Sequence, residues 1–524
     1  MPLANLPAEI KRMILEALVK DGRELARFAA VSREWQAAIE PQTFKRIKIT
    51  PSRIAELDDM TRRNRSRVRY LWFCLELERY GCDTCSPEDG VPMFSSAADD
   101  LLIKTGIQSL FLVLGAWSRS SSLILDISVY STSDPEHWFK YLTFEPDDDE
   151  DDVPRLDPAV PSQVDDDARH RWDTAGREVT TAQSAVQNVF TRILNDPLGD
   201  FEDEEMGYLG WWRELPSVPA VTRLLLRQQT RRRWEPEALV EMVALFPSLR
   251  ELHFEPWREW DNMLQDTTDQ GYLDLFESPI IRKLDRLTIF ENFNQRYVHA
   301  YWEEDCDRIR PPNLALSRIL SDVSTNYESL SASFAVDADS FFALDEGQPP
   351  KRWPNLKYLF LTSQLLAPDQ DETRLTNMLR AAARAAIYMP NLETMQIWNG
   401  RKNLAALFKY EAATEGQPCT ITWKGTWEFV LQASLIQAWQ AVVSGLSEHE
   451  VMRVIYESID GDQVRCHGDG MILLELPEMV IRRVSLRQIQ REQMYIPLQS
   501  PTLNPYITNP FGIPLPPGLI PPLL

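Results

Sequence analysis

Pro354-Asn355-Leu356-Lys357-Tyr358-Leu359-Phe360-Leu361 sets apolar residues at 356, 359 and 361, so that a turn leads into a strand with alternate side chains facing inward. The same phrase recurs at Leu249-Arg250-Glu251-Leu252-His253-Phe254, at Leu284-Asp285-Arg286-Leu287-Thr288-Ile289 and at Leu392-Glu393-Thr394-Met395-Gln396-Ile397. Leu252 and Leu287 are 35 residues apart, and Leu359 and Met395 are 36 apart. The wider gap between Leu287 and Leu359 leaves room for one more unit, built on Leu330–Val336. Helical patterns fall between copies, at Pro236–Phe246, Leu314–Val323 and Leu375–Ile387. Upstream, Val68–Leu77, Ser122–Tyr130 and Val221–Gln229 read as strands and Ala97–Trp117 as a helix. A lone strand-helix unit cannot bury its apolar face, so such units stack against one another. The expected class is α/β, a stack of strand-helix units, with a conventional single α/β domain as the alternative.

A different pattern precedes the first strand. Leu6-Pro7-Ala8-Glu9-Ile10 opens a helix that carries Ile10, Ile14, Leu15 and Leu18 on one side. Pro7 suits a first turn and Glu9 the positive end of the helix. After Asp21-Gly22, Leu25, Phe28, Ala29 and Val31 mark a second helix, and Trp35, Ala38 and Ile39 a third. Three helices this short cannot seal their own apolar faces.

Leu6-Pro7-Ala8-Glu9-Ile10, Ile14, Leu25, Val31-Ser32-Arg33-Glu34-Trp35 and Phe44 together resemble the F-box. The stretched Asp21-Gly22-Arg23-Glu24-Leu25 departs from the family's first loop. The resemblance implies docking to a Skp-type adaptor and through it to a cullin. Leu6, Pro7, Ile10 and Ile14 would face the adaptor, and Val31 and Trp35 would be shared between that contact and the module's own core. The later units resemble an irregular leucine-rich-repeat-like solenoid, although unit length varies and the Asn or Cys expected after each strand is mostly missing. Asn292 and Asn399 lie a little beyond their strands and are candidates for that turn role. Together the parts resemble F-box proteins of filamentous fungi. The implied function is that of a substrate-recognition subunit of a Skp-cullin-F-box ubiquitin ligase, not an enzyme, with a protein client on the repeat surface. The alternative is a structural or regulatory scaffold without client ubiquitination.

The domains read as 1–44, the F-box; 45–144, first strand-helix units; 145–179, an acidic disordered insertion; 180–415, the repeat-like domain; 416–496, capping units; and 497–524, a Pro-rich tail. Glu145–Asp152 carries seven acidic side chains in eight positions, and nine prolines lie between Pro497 and Pro522. In the capping block, Met471–Pro477 reads as a strand and Val480–Ile489 as a last repeat turn. A net charge of −23 argues against nucleic acid or an anionic membrane as partner. Accordingly Arg62–Arg69 reads as a solvated turn, and Arg231-Arg232-Arg233-Trp234 as a solvated turn or client contact. Six cysteines in 524 residues form no disulfide framework. With no signal-peptide pattern or membrane-length apolar run, a cytoplasmic or nuclear location is expected.

Cys82-Asp83-Thr84-Cys85 has the gap of a zinc half-site, but no second pair or suitably spaced histidine follows it. It therefore reads as a plain loop near Pro87, Asp89 and Gly90, with no metal and no cofactor expected. No nucleotide-binding loop or Gly-x-Ser-x-Gly elbow occurs. Cys466-His467-Gly468-Asp469-Gly470 is the one cluster that suggests a hydrolase or transferase, and adjacent strand residues would point apart there. Client-contact candidates are Trp257, Trp260, Trp398 and Arg401, with core roles equally open to the tryptophans.

Overall fold

The structure is a computed structural model. It describes residues 6–21, 25–85, 97–118, 122–148, 170, 185–195, 210–294, 297, 309–343, 350–414, 416–446 and 452–495. The expected Pro-rich tail lies outside them.

Three helices come first: α1 (Ala8–Asp21), α2 (Leu25–Ala29) and α3 (Arg33–Thr43). Ser32 starts α3 by accepting from the Trp35 backbone N–H at 3.3 Å, as an N-cap should. Leu15, Trp35 and Ile39 form a small core, with Ile14, Leu18, Leu25 and Phe28 packed around it. The module joins the body through β1 (Arg46–Ile49) and through Arg67, which reaches Glu40 at 2.8 Å.

The body is a twelve-stranded sheet in which every strand lies beside its predecessor in the sheet. After β1 come β2 (Tyr70–Leu77), β3 (Leu123–Ser131), β5 (Val221–Leu226), β7 (Glu251–Phe254), β8 (Arg286–Phe290), β9 (Ser329–Asp337), β10 (Tyr358–Thr362), β11 (Thr394–Arg401), β12 (Leu404–Glu411), β13 (Thr420–Gly425) and β14 (Arg453–Ser458). The remaining strands, β4 (Arg192–Ile193) and β6 (Arg233–Trp234), form a separate ribbon. All pairings from β1 to β11 are parallel, and the antiparallel β12 then breaks the pattern.

Register explains why the repeats stack. Ile47, Leu71, Leu125, Leu224, Leu252, Leu287, Leu330, Leu359 and Met395 stand opposite one another in turn, and the row continues through Tyr410, Ile421 and Val454. This row belongs to one continuous core. Each fully buried leucine in it contributes about 1.5–3 kcal/mol.

Helices cover that face: α4 (Ile54–Thr61), α6 (Ala97–Gly115), α7 (Pro236–Ala244), α8 (Asn262–Glu277), α9 (Leu314–Val323), α11 (Glu372–Ala386) and α12 (Ala433–Leu446). Asp261, Asn313 and Asp371 cap α8, α9 and α11 by accepting from backbone N–H groups at 2.8–3.0 Å. The short α5 (Cys82–Cys85) and α10 (Ala338–Phe341) follow β2 and β9. Among the described residues, no helix is long and apolar enough to cross a membrane.

The other face is not open. The C-terminal segment, with α13 (His467–Leu473) and α14 (Arg483–Tyr495), runs over it: α13 packs on β11 and β12, and α14 bonds Gln228 after β5 and Tyr141 after β3. Cys466, Met471, Leu474, Val480, Ile481 and Ile489 pack with Phe290, Phe360, Trp398 and Leu407. Thr288 donates to the Met479 carbonyl at 3.1 Å, and Gln488 donates to the Tyr141 carbonyl at 3.2 Å. The strand expected at Met471–Pro477 and the repeat turn expected at Val480–Ile489 are thus replaced mainly by helices. A short apolar run fits either period, and here the sheet face rewards the helical one. Glu145–Asp148, the first residues of the expected acidic insertion, are held in place. Arg482 holds Asp147 at 2.6 Å, Arg487 holds Asp148 at 2.7 Å and Arg491 holds Glu145 at 3.0 Å. Beyond Asp148, the expected insertion lies outside the described residues except for His170.

Candidate functional site

Strand β2 ends at Leu77, and the chain turns through Tyr80 into the four-residue α5. The three-residue step within a helical turn puts Cys82 and Cys85 on one side. β3 runs parallel to β2 and delivers His137 to the same end of the sheet, and His170 comes from further along the chain. The ligand atoms of Cys82, Cys85, His137 and His170 all lie within 4.8 Å of one another. Cys82 Sγ is 3.7 Å from His137 Nδ1 and 3.7 Å from His170 Nε2. Cys85 Sγ is 3.5 Å from His170 Nε2, and the two ring nitrogens are 3.2 Å apart.

Neighbouring groups orient these side chains. His137 Nε2 lies 3.2 Å from the Tyr80 carbonyl, an acceptor, which makes Nε2 the donor and turns Nδ1 toward the sulfurs. Tyr80 stacks on His137 at 5.2 Å, and Trp138 stands edge-on to His170 at 5.6 Å. The Tyr80 hydroxyl donates to Asp134 at 2.9 Å, and Arg232 also binds Asp134. Burial, then the adjacent Cys82 sulfur, push the Cys85 thiol up to about 11. The stretch expected as a plain loop is instead the short helix α5, and two histidines, 55 and 88 residues after Cys82, stand beside its cysteines in an arrangement that could hold a metal ion. Close spacing is a local criterion, whereas the parallel pairing of β2 and β3 brings His137 to the cysteines and His170 joins them from further along the chain.

The set borders a second core of Trp138, Phe139, Tyr141, Phe190, Trp257, Trp260 and Tyr297. Trp257 and Trp260 are buried there and take the core role, and so does Trp398 in the cluster under α13. The arginine triplet is not a solvated turn. Arg231 binds Glu492 at 2.8 Å and lies 4.1 Å from the Trp257 ring; Arg232 binds Asp134; Arg233 binds Glu259 at 2.9 Å. Three carboxylates from distant segments converge on three consecutive arginines, which local sequence cannot reveal. Arg401 remains partly exposed, joined to Asp369 at 3.0 Å. It lines a cleft at the strand ends with Phe293, Ile309, Arg310, Phe334 and Asp337. Phe334 reaches this place from a left-handed backbone position (φ 64°), costly for a bulky side chain, where β9 bulges against β10.

Cys466 and His467 do not form an activated pair. Burial pushes the thiol up to about 12 and the imidazole down to about 3, opposite to a thiolate-imidazolium couple. His467 Nε2 instead meets Asn292 Oδ1 at 3.0 Å. Another buried group, His253–Glu255–Ser485, has the carboxylate in the middle, at 2.7 and 2.6 Å. Hydroxyl activation needs the imidazole between hydroxyl and carboxylate, so this trio fastens α14 to the sheet.

Ile10 and Met13 on α1 and Val31 in the turn before α3 are exposed by 42%, 61% and 52%. Pro7 is also exposed, Leu6 and Ile14 are half-buried, and Trp35 is buried inside the module.

Comparison with known proteins adds one match. The model of a family of unknown function (DUF6546) fits residues 278–482, less than half of the chain. That span runs from just before β8 to the start of α14, and omits both the N-terminal helices and the cysteine-histidine set. No curated protein and no solved structure matches the chain.

Proposed function

We propose that this chain is a substrate receptor of a Skp-cullin-F-box ubiquitin ligase, working inside the cell. The observation that carries the reading is the exposure of Ile10, Met13 and Val31 on a helical unit whose own core is only Leu15, Trp35 and Ile39. Ile10 and Val31 hold adaptor-facing positions of the resembled F-box, and Leu6, Pro7 and Ile14 would join them. Trp35 then braces the module from within. In this reading the ligase holds a bound client near the conjugating enzyme, and the gain is effective concentration.

The client contact would lie at the strand-end cleft around Arg401, Phe293 and Phe334, because the sheet's second face is filled by α13 and α14. That filled face also favours a second reading, an adaptor-bound scaffold that turns over no client.

Co-expression of the full chain with a Skp-type adaptor tests the first step. Ile10→Asp places a carboxylate in an apolar contact and should reduce capture at least tenfold. Undiminished capture overturns the receptor reading. Client ubiquitination that requires both residues 1–44 and the cleft separates receptor from scaffold.

A further inference from the structure

We propose that Cys82, Cys85, His137 and His170 bind one zinc ion as a closed structural site. With zinc–sulfur bonds of about 2.3 Å and zinc–nitrogen bonds of about 2.0–2.1 Å, tetrahedral geometry requires sulfur-to-nitrogen edges near 3.5–3.6 Å and a nitrogen-to-nitrogen edge near 3.3 Å. Four of the six edges are 3.5, 3.7 and 3.7 Å, and 3.2 Å, and all four ligand atoms lie within 4.8 Å of one another. A cluster held by hydrogen bonds alone has no reason to bring four ligand atoms toward one centre. Two thiols and two imidazoles also suit zinc better than the oxygen-seeking calcium or magnesium.

The supporting groups point the same way. The Tyr80 carbonyl fixes the His137 tautomer so that Nδ1 is free to coordinate. Four protein ligands fill the coordination sphere, which leaves no open position for a reacting water and makes the role structural. On binding, two sulfur–hydrogen bonds break, two zinc–sulfur bonds form and both protons pass to solvent. The histidines bind neutral, so the centre carries no net charge beside its aromatic neighbours. The ion would tie the end of β2 to the segment after β3 and to His170.

The test uses the full chain, purified under reducing conditions and assayed for metal. About one zinc per chain is expected. After chelation, cobalt(II) should give the visible bands of a tetrahedral two-sulfur, two-nitrogen centre, and zinc should restore the unfolding temperature lost on chelation. Cys85→Ser and His170→Gln should each lose most of the metal, whereas Asp83→Asn, an exposed neighbour, should keep it. Where a variant fails to fold, the cobalt spectrum of the unaltered chain decides. Folded protein without zinc and without the cobalt bands overturns the proposal. So does metal retained by the Cys85→Ser/His170→Gln double variant.

Discussion

Arg231 donates to Glu492 at 2.8 Å across 261 residues of sequence, and both side chains are almost wholly enclosed. Burial disfavours the guanidinium charge, but Glu492 and the neighbouring tyrosines outweigh it and hold the Arg231 pKa up. Removing one partner leaves an unpaired buried charge, at a cost of about 3–5 kcal/mol. Glu492→Gln should therefore lower the denaturant midpoint sharply, and Arg231→Met with Glu492→Leu should lower it less. Equal midpoints for parent and Glu492→Gln would show that the pair does not fasten α14.

Two isoleucines on the N-terminal helices should separate stability from capture. Ile39 is fully buried, so Ile39→Ala should cost about 2–5 kcal/mol and unfold the module first. Ile10 is exposed, so Ile10→Asp should leave thermal unfolding nearly unchanged while adaptor binding falls. Hydrogen exchange on α1–α3 reads the first effect and pulldown the second. Melting of the module by Ile10→Asp would contradict this division.

His467 gives acid sensitivity a definite sign. Burial lowers its folded pKa to about 3, so from an ordinary unfolded value of about 6.5 downward the unfolded chain binds the extra proton. Stability from this group is complete above about 6.5 and is lost toward 3, by at most about 1.4 kcal/mol per pH unit. Glu255 adds a loss at lower pH. Burial would raise its pKa, but hydrogen bonds from His253, Ser485 and the Gln228 backbone prevail and hold it below the usual range. His467→Gln should flatten the unfolding profile between pH 6 and 4 (roughly the span set by those values). An unchanged slope would place the acid sensitivity elsewhere.

Gly271 in α8 faces Pro236 at the start of α7, and an added Cβ would lie 2.6 Å from the proline Cβ. Alanine gains about 1 kcal/mol of helix propensity, but the rigid ring cannot yield, and overpacking costs about 1–3 kcal/mol. Gly271→Ala should be destabilising in a melting experiment. A raised melting temperature would mean that the two helices can part without penalty.

The ladder from Leu252 to Met395 was legible in sequence because each unit repeats one local phrase, and the extra unit at Leu330 fell into register where the gap required it. The capped helices α9 and α11 were readable for the same reason. Features defined across the fold were not. Ser485, Gln488 and Glu492 are buried on α14 beside Val484 and Ile489, so its apolar stripe is interrupted. The carboxylates that neutralise Arg231, Arg232 and Arg233 lie far away in the chain, and so do the histidines beside Cys82 and Cys85. Strand β12 also escaped notice, formed by a reversal at Asn403 with its left-handed φ of 60°.

The C-terminal segment sets a timetable for the newborn chain. Arg231 leaves the ribosome 261 residues before Glu492, roughly 13–50 s earlier at ordinary synthesis rates. From the time each is made until α13 and α14 follow, Phe290, Phe360 and Trp398 lack the cover that the C-terminal segment gives them, and Arg231 lacks its carboxylate partner. Fragments ending before residue 480 should therefore be less soluble than the full chain, since they leave that apolar surface bare.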